Sequence, residues 1–320
     1  MLYWALAIAQ YEGLPSLADR IASRLRSALR RRMLTSPAVS AIVAEHAVES
    51  PGGTRRCSEW IAIDRHSLTS ERTNMKNYVK DKVVIITGGT SGFGLETARM
   101  LLEMGANVAI TGRSKKRLAQ AQKDLAHDNL LAVRADAVST DDWQQLIDSV
   151  KERFGRIDVL VNNHGAGIRI AEVEQMSDED IQRVLDVNII SVIKGCREVV
   201  REMKPRGAGH IINVSSGCAH YSWPSWSVYT AAKAGMIGFT RCLHLEMAEW
   251  GGKATSFVPG AARTNFCKAA GIDDDWLEGY PSAEDFARSL VHCIDMPENS
   301  FVDELIIWGT KQVKEMLNPF

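Results

Sequence analysis

The chain has 320 residues, 45% of them apolar and 24% charged, which are ordinary values for a globular protein of one large or two average domains. Its net charge of −1 gives no electrostatic reason to expect a nucleic acid or an anionic membrane surface as a partner. The six cysteines are scattered, without a C-x-x-C pair or a histidine cluster, so the sequence predicts reduced thiols, no metal and a cytoplasmic location.

The first 74 residues differ in composition from the rest. They contain ten arginines and no lysine, whereas the residues after them contain fourteen of each. Residues 2–9 are apolar but too few to span a membrane, and no basic residue precedes them as in a signal peptide. Residues 16–33 could form a basic helix, but residues 35–74 show no sustained period. We expect residues 1–74 to be a poorly ordered N-terminal extension, or alternatively a targeting or partner-binding arm, and residues 75–320 to form one domain.

A glycine-rich turn follows the first strand of this domain. The β-branched run at residues 82–87 is typical of a strand buried on both faces, and it leads into the sequence TGGTSGFG at residues 87–94. A helical pattern follows the turn. Glycines in such a turn let backbone N–H groups approach a pyrophosphate at the positive end of the helix. Strand, turn and helix together predict a dinucleotide site.

The end of the second strand bears on the choice of cofactor. Residues 106–111 are followed by Gly112 and Arg113, where folds that bind an adenine ribose often carry an acidic residue. A carboxylate there would repel a 2′-phosphate, whereas an arginine attracts one. The sequence therefore predicts NADP(H), with NAD(H) possible.

Strands continue to alternate with helical patterns to the end of the chain. The predicted strands cover residues 130–134, 157–161, 210–214, 253–258 and 302–308, and helical patterns of twelve or more residues separate them. This alternation predicts an α/β fold with a doubly wound parallel sheet, and ligands then bind outside the carboxyl ends of the strands.

Tyr229 and Lys233 are the candidate chemical pair. Four residues apart on a predicted helix, they share one face. A neighbouring ammonium lowers the pKa of a phenol below its free value of about 10, so that Tyr229 can exchange a proton with an alcohol or ketone oxygen. The motif by itself equally describes an exposed pair on a surface helix.

Residues 75–320 resemble the short-chain dehydrogenase/reductase family over the full length of its usual single domain. The resemblance rests on seven elements in the family's order, which are TGGTSGFG at 87–94, Asp136, NNHG at 162–165, Asn188, Ser216, YTAAK at 229–233 and PGAART at 259–264. Two departures stand out. His164 replaces the usual alanine, and we interpret it as a wall residue rather than a catalyst. The final strand reads VDELIIWGT, whereas many members have an Asp-Gly-Gly pattern there. It is similar to the Asn-Glu-Leu-type final strand of a subgroup seen among hydroxy-acid dehydrogenases.

The resemblance implies roles for particular residues. Tyr229 would be the general acid/base, Ser216 would hydrogen-bond the substrate oxygen, Lys233 would hold the nicotinamide ribose, and Asn188 would support a water chain. The implied cofactor-binding residues are Gly88, Thr90, Ser91, Gly92, Phe93, Gly94, Arg113, Ser114, Asp136, Ala137, Asn163, Gly165, Tyr229, Lys233, Pro259, Gly260, Ala262 and Thr264. The implied substrate pocket comprises Ser216, Cys218, Tyr221, Trp223, Trp226, Phe266 and Trp276. The resemblance also implies a homodimer or homotetramer.

The predicted function is an NADP(H)-dependent alcohol dehydrogenase or ketoreductase. Aromatic pocket residues favour a bulky apolar ring system such as a hydroxysteroid or bile acid. One alternative is an acyl-thioester reductase, which would dock an acidic carrier protein on Arg197, Arg201, Lys204 and Arg206. Another is a hydroxy-acid or polyol dehydrogenase. The last is a regulator that binds the cofactor without catalysis, against which the intact Asn188, Ser216, Tyr229 and Lys233 set argues.

Overall fold

The computed structural model of the protein describes residues 77–165, 169–264, 266 and 277–317, and the predicted N-terminal extension lies outside them. Seven parallel strands form one sheet, in the chain order β1 Val83–Ile86, β2 Asn107–Gly112, β3 Leu130–Arg134, β4 Val159–Asn162, β5 Gly209–Val214, β6 Gly252–Pro259 and β7 Glu304–Ile307. Across the sheet the order is β3-β2-β1-β4-β5-β6-β7. The predicted doubly wound parallel sheet is confirmed, with all seven strands within two residues of their expected ends.

Helices cover both faces of the sheet. They are α1 Gly92–Glu103, α2 Lys115–Leu125, α3 Thr140–Phe154, α4 Asp178–Leu185, α5 Ser191–Met203, α6 Ser227–Ala248, α7 Ala283–Ile294 and α8 Thr310–Leu317. A π-helical turn, Asp186–Ile190, joins α4 to α5. Among the described helices, none is both long and apolar enough to cross a membrane.

Alternate residues of β1 point into two separate apolar cores. Val84 and Ile86 pack with residues of α1, α2 and α7, whereas Val83 and Ile85 pack with residues of α3, α5 and α6. All four side chains are fully or almost fully buried. Burial on both faces explains why the strand is a continuous β-branched run rather than an alternating pattern.

Local signals in the sequence mark both ends of α3. The Ser139 side chain accepts the backbone N–H of Asp142 and so caps α3, and Gly155 ends this helix in the left-handed region with φ 81°. Both interactions satisfy backbone groups that a helix leaves unpaired at its ends.

The winding direction of the sheet reverses between β1 and β4, which are neighbours. The chain runs outward from β1 to β2 and β3 on one side, and from β4 to β7 on the other. Connections leaving two adjacent strands in opposite directions open a crevice at their carboxyl ends. The fold therefore predicts the ligand site there.

Candidate active site

The glycine turn after β1 has glycine where the backbone takes positive φ angles. Gly88 and Gly92 have φ angles of +67° and +56°, a region that residues with a Cβ rarely adopt. Asn163 Nδ2 donates to the backbone oxygens of Thr87 (3.0 Å) and Gly88 (3.3 Å), which fastens the turn to the end of β4. Ser91 caps α1 without a side-chain hydrogen bond, so the first N–H groups of this helix remain directed toward the crevice.

A cavity of about 1500 Å³ extends from this turn across the carboxyl edge of the sheet. Sixteen of the eighteen predicted cofactor residues line it; Gly94 and Ser114 do not. Gly94 lies under the turn, where a Cβ would come within 2.5 Å of Asn163 Nδ2. Ser114 caps α2 by accepting the N–H of Arg117. The structure thus gives these two residues a part in shaping the turn and α2 rather than a place on the cavity surface.

Ser216 lies where the chain leaves β5. Its Oγ accepts the N–H of Cys218 at 3.3 Å, which begins a short 3₁₀ turn, Gly217–Ala219. The preceding Ser215 Oγ donates to the backbone oxygen of Lys233 at 2.8 Å. The Ser215 bond holds the end of β5 against α6, and Ser216, the next residue, lines the cavity near the helix that carries Tyr229.

Tyr229 and Lys233 lie one turn apart on α6 and are both buried, 7% and 2% exposed. Lys233 Nζ donates to the carbonyl of Val214 at 2.9 Å and lies 5.8 Å from the centre of the Tyr229 ring. Burial lowers the pKa of Lys233 to about 8. The ammonium is therefore the main form at neutral pH, and a modest rise in pH removes its charge.

Asn188 does not line the cavity but lies directly behind its wall. It is fully buried in the π-helical turn, where its Nδ2 donates to the carbonyl of Val184 at 2.9 Å. A Cβ placed on Gly165 would be 3.3 Å from Asn188 Oδ1 and 3.7 Å from Lys233 Nζ. Gly165 therefore forms the cavity wall in front of Asn188, next to Lys233, which lines the cavity itself.

Aromatic rings form the opposite end of the cavity. Trp226 and Phe266 flank the Tyr229 ring, with centroids 5.7 and 5.8 Å away, and Tyr221 and Trp223 also line the wall. Cys218 lines it as well, whereas the predicted pocket residue Trp276 lies outside the described residues.

Part of the cavity wall comes from the C-terminal helix α8, which the sequence did not predict there. Gln312, Glu315 and Met316 all line the cavity. Gln312 Oε1 accepts the N–H of Ala261 at 2.9 Å, and this bond ties α8 to the turn after β6. The pattern TKQVKEML has helical spacing, but no sequence signal placed this helix over the cavity. His164 also lines the wall, as expected.

The sheet order, the glycine turn at its switch point and the Ser216, Tyr229 and Lys233 group define a Rossmann-type, dinucleotide-dependent oxidoreductase. The sequence profile of the short chain dehydrogenase family matches residues 82–275. The chain belongs to the short-chain dehydrogenase/reductase family and is an NAD(P)-dependent oxidoreductase.

Several known proteins are similar to this chain. An uncharacterised oxidoreductase of Staphylococcus saprophyticus is 35% identical over 244 residues, which are 74% of this chain and 99% of that protein. A Mycobacterium tuberculosis protein, named as a reductase of a hydroxy-methyl-oxo-hexahydroindene-carboxyl-CoA, is 36% identical over 214 residues, covering 65% of this chain and 80% of its own. The closed form of serine dehydrogenase complexed with NADP⁺ is 26% identical with a TM-score of 0.68, covering 72% and 96% of the two chains. Levodione reductase is 26% identical with a TM-score of 0.67, covering 73% and 98%.

Proposed function

We propose that the protein interconverts a secondary alcohol and a ketone with NADP(H), and that Tyr229 is the general acid/base. The observation that carries the proposal is the convergence of Ser216, Tyr229 and Lys233 on the cavity that also contains the glycine turn. Bound in this cavity, the nicotinamide would supply or accept the hydride. The protein would supply position, a proton and stabilisation of the developing charge.

The geometry supports a separate role for each side chain. Ser216 Oγ accepts the Cys218 N–H with a lone pair, so its own hydroxyl hydrogen can be donated to the substrate oxygen. Tyr229 would give that oxygen a proton during reduction and take it back during oxidation. Lys233, with its depressed pKa, would lower the pKa of the phenol and hold the nicotinamide ribose. Asn188, behind Gly165, would support the water chain that reloads Lys233.

The preference for NADP(H) is supported by the end of β2. Gly112 and Arg113 both line the cavity, and so does Arg117 in the first turn of α2. Two guanidinium groups in this position suit the oxygens of a 2′-phosphate. Serine dehydrogenase, a similar structure, is complexed with NADP⁺. The absence of a basic residue at Ser91 is the feature that argues for use of NAD(H) as well.

The aromatic wall supports an apolar, ring-containing substrate such as a hydroxysteroid or bile acid. Trp223, Trp226 and Phe266 offer flat apolar surfaces next to Tyr229. The reductase of Mycobacterium tuberculosis is named for a fused-ring substrate. Its name also contains a CoA ester, so the same comparison supports a thioester substrate.

The basic residues of α5 and the turn after it give less support to the alternative of an acyl-thioester reductase that docks an acidic carrier protein. Arg197 and Arg201 form ion pairs of 2.7 Å with Glu198, and Arg206 forms one of 2.6 Å with Asp158. Of the four proposed docking residues, Lys204 keeps an exposed charge outside these pairs. A hydroxy-acid substrate is supported by the similarity to serine dehydrogenase.

The test is to measure turnover of a panel of substrates from the change in absorbance of the reduced cofactor. The panel contains fused-ring ketones as free compounds, the matching CoA thioesters, serine and other hydroxy acids, and polyols, each with NADPH or NADP⁺ and with NADH or NAD⁺. We expect the highest kcat/KM for a free fused-ring ketone with NADPH. A higher value for thioesters or for serine would establish the corresponding alternative. Cofactor binding without turnover of any compound would instead favour the non-catalytic regulator.

Location and assembly are part of the same proposal. Within the part of the chain that the structure describes, the cysteines at positions 196, 218, 242 and 293 are free thiols, which suits a reducing, cytoplasmic compartment. We propose a homodimer or homotetramer, which light scattering after size-exclusion chromatography measures directly. A monomer at micromolar concentration would contradict it.

A further inference from the structure

His164 connects two parts of the cavity wall that come from different elements. Its Nδ1 lies 2.7 Å from Thr87 Oγ1 at the end of β1, and its Nε2 lies 2.7 Å from Ser191 Oγ at the start of α5. The ring is half-buried in the wall. Both nitrogens therefore have partners in the protein, and neither is needed to hydrogen-bond a ligand.

The surrounding hydrogen bonds determine the tautomer of the ring. Ser191 Oγ donates to the carbonyl of Val187 at 2.8 Å, so this oxygen accepts from the N–H at His164 Nε2. At the other end, the Thr87 hydroxyl has two acceptors in reach, His164 Nδ1 at 2.7 Å and the carbonyl of Val161 at 3.2 Å. The Val161 carbonyl already accepts two backbone N–H groups. Thr87 therefore donates to Nδ1, which requires a neutral imidazole.

The electrostatics of the wall favour the same form. Desolvation by the surrounding protein lowers the pKa of His164 to about 3, with smaller contributions from the positive charges of Lys233 and Arg113. The ring consequently keeps one donor and one acceptor throughout the pH range in which proteins work. Its two hydrogen bonds do not exchange roles as the pH changes.

On the Nδ1 side of the His164 ring, the hydrogen bonds lead to the glycine turn. Thr87 is the last residue before Gly88, and its hydroxyl also accepts the backbone N–H groups of Asn163 and His164 at 3.1 and 3.3 Å. A Cβ on Gly88 would be 3.0 Å from His164 Cα. The start of the glycine turn therefore rests directly on the segment that carries the histidine.

On the Nε2 side of the His164 ring, the hydrogen bonds lead to the turn that carries Asn188. The Val187 carbonyl held by Ser191 belongs to the residue immediately before Asn188, inside the π-helical turn. Gly165, next after the histidine, lies close to both polar groups, since a Cβ on it would be 3.3 Å from Asn188 Oδ1 and 3.7 Å from Lys233 Nζ. A shift of the histidine would thus move Gly165 and the turn that carries Asn188.

We propose that His164 is a positioning residue, a neutral imidazole that holds the glycine turn and the Asn188 turn at a fixed separation. The inference rests on the proposed reaction only for the roles of Asn188 and Lys233. Displacements of about 1 Å from the productive geometry lower turnover by up to about a hundredfold. The loss of both bonds is therefore expected to affect cofactor binding and turnover together.

The test compares three variants. His164→Phe keeps the ring and removes both hydrogen bonds, whereas His164→Gln keeps one donor and one acceptor. His210→Phe is the matched control, since His210 is also a neutral histidine with a pKa of about 3, bonded to Thr255 at 2.9 Å on the strands β5 and β6, and it does not line the cavity. Cofactor affinity is measured from the change in protein fluorescence, turnover by absorbance, and thermal stability by calorimetry.

We expect His164→Phe to weaken cofactor binding and to lower kcat by about tenfold each. His164→Gln recovers most of both, and His210→Phe lowers Tm without changing either. If His164→Phe affects Tm alone, as the control does, or if the glutamine variant is as impaired as the phenylalanine variant, the proposal is overturned.

A second variant covers the case in which His164→Phe does not fold. Ser191→Ala removes the distal bond from a fully buried side chain that does not line the cavity. A loss of about threefold in kcat supports the proposal, on the scale of one hydrogen bond, and an unchanged kcat contradicts it. A parent protein that is inactive on every substrate contradicts the proposed reaction instead, and cofactor affinity then decides the role of His164.

Discussion

The indole ring of Trp308 packs against the α-carbon of Gly217, the residue that follows Ser216. A Cβ placed on Gly217 would lie 2.3 Å from Trp308 Cη2. The same indole contacts Gly260 and meets the ring of Tyr221 edge-on, with centroids 5.3 Å apart. Trp308 thus braces the turn after β5 against the turn after β6. A side chain at position 217 has to displace either the indole or Ser216.

Gly217→Ala is expected to lower kcat by about tenfold, because it moves Ser216 out of line with the substrate oxygen. Trp308→Phe shortens the ring on the side that faces Gly217, so the double variant should regain most of the lost activity. Steady-state kinetics and Tm of the two single variants and the double variant measure this coupling. A double variant no better than Gly217→Ala would mean that the indole does not position Ser216.

Tyr229→Phe is expected to lower kcat by about two or more orders of magnitude, the scale of lost general acid catalysis, while cofactor binding survives. The substitution removes the hydroxyl and keeps the ring packed between Trp226 and Phe266. Tyr78→Phe is the control, because it also removes a phenol hydroxyl but lies before the amino end of β1 and does not line the cavity. Near-parental turnover of Tyr229→Phe would refute the assignment of this residue as proton donor.

Lys233 should make the stability of the cofactor-free protein depend on pH in the alkaline range. Its folded pKa of about 8 is below the value of 10.5 of an ordinary lysine, so between these pH values the unfolded chain binds more protons. The free energy of unfolding therefore rises with pH across this window. Below the window, the cost of burying the charged Lys233 ammonium is fully present. In Lys233→Met this contribution, on the order of 3 kcal/mol, is absent.

The measurement is the free energy of urea unfolding of the parent and of Lys233→Met from pH 7 to pH 10.5. Tyrosines and cysteines also titrate there, so the quantity of interest is the difference between the two proteins. A difference that does not change with pH would show that Lys233 has an ordinary pKa.

Arg113→Ala is expected to lower kcat/KM for NADPH by about ten- to a hundredfold and to leave the value for NADH nearly unchanged, since charge-assisted hydrogen bonds to a phosphate are lost. The companion substitution Gly112→Asp is less clean, because a Cβ there would be 2.7 Å from Thr90 Cγ2 in the cofactor turn. Lys116→Ala serves as control for a general loss of positive field, since Lys116 is exposed on α2 and does not line the cavity.

This prediction concerns the ratio of the two cofactors, so it is independent of substrate affinity. A parent enzyme that prefers NADH, or an Arg113→Ala variant with the parental ratio, would show that the guanidinium does not bind the 2′-phosphate.

A chain that begins at Met75 is expected to fold cooperatively and to retain activity, because the seven strands and the cavity-lining residues that the structure describes come after this residue. Thermal unfolding, cofactor affinity and kcat/KM of the shortened and full-length chains test this. Aggregation of the shortened chain, or loss of cofactor binding, would place the boundary further toward the N-terminus.

The sequence alone determined the sheet and the position of the cofactor turn. The central strands β1, β2, β4, β5 and β6 are buried along most of their length on both faces, so their apolar runs stand out between helical patterns without any knowledge of their neighbours. The glycines at 88 and 92 require backbone conformations that other residues avoid, and Tyr229 and Lys233 face the same way because one helical turn separates them. These properties are local, and local spacing is what a sequence displays.

Only the tertiary structure decided what surrounds the cavity and in which form its groups exist. The wall contributed by Gln312, Glu315 and Met316 depends on where α8 packs, which its helical pattern does not encode. The hydrogen bonds of His164 join residues 77 and 27 positions away, and the depressed pKa of Lys233 comes from burial. Burial and long-range contacts arise when distant segments pack together, so no spacing within one segment reveals them.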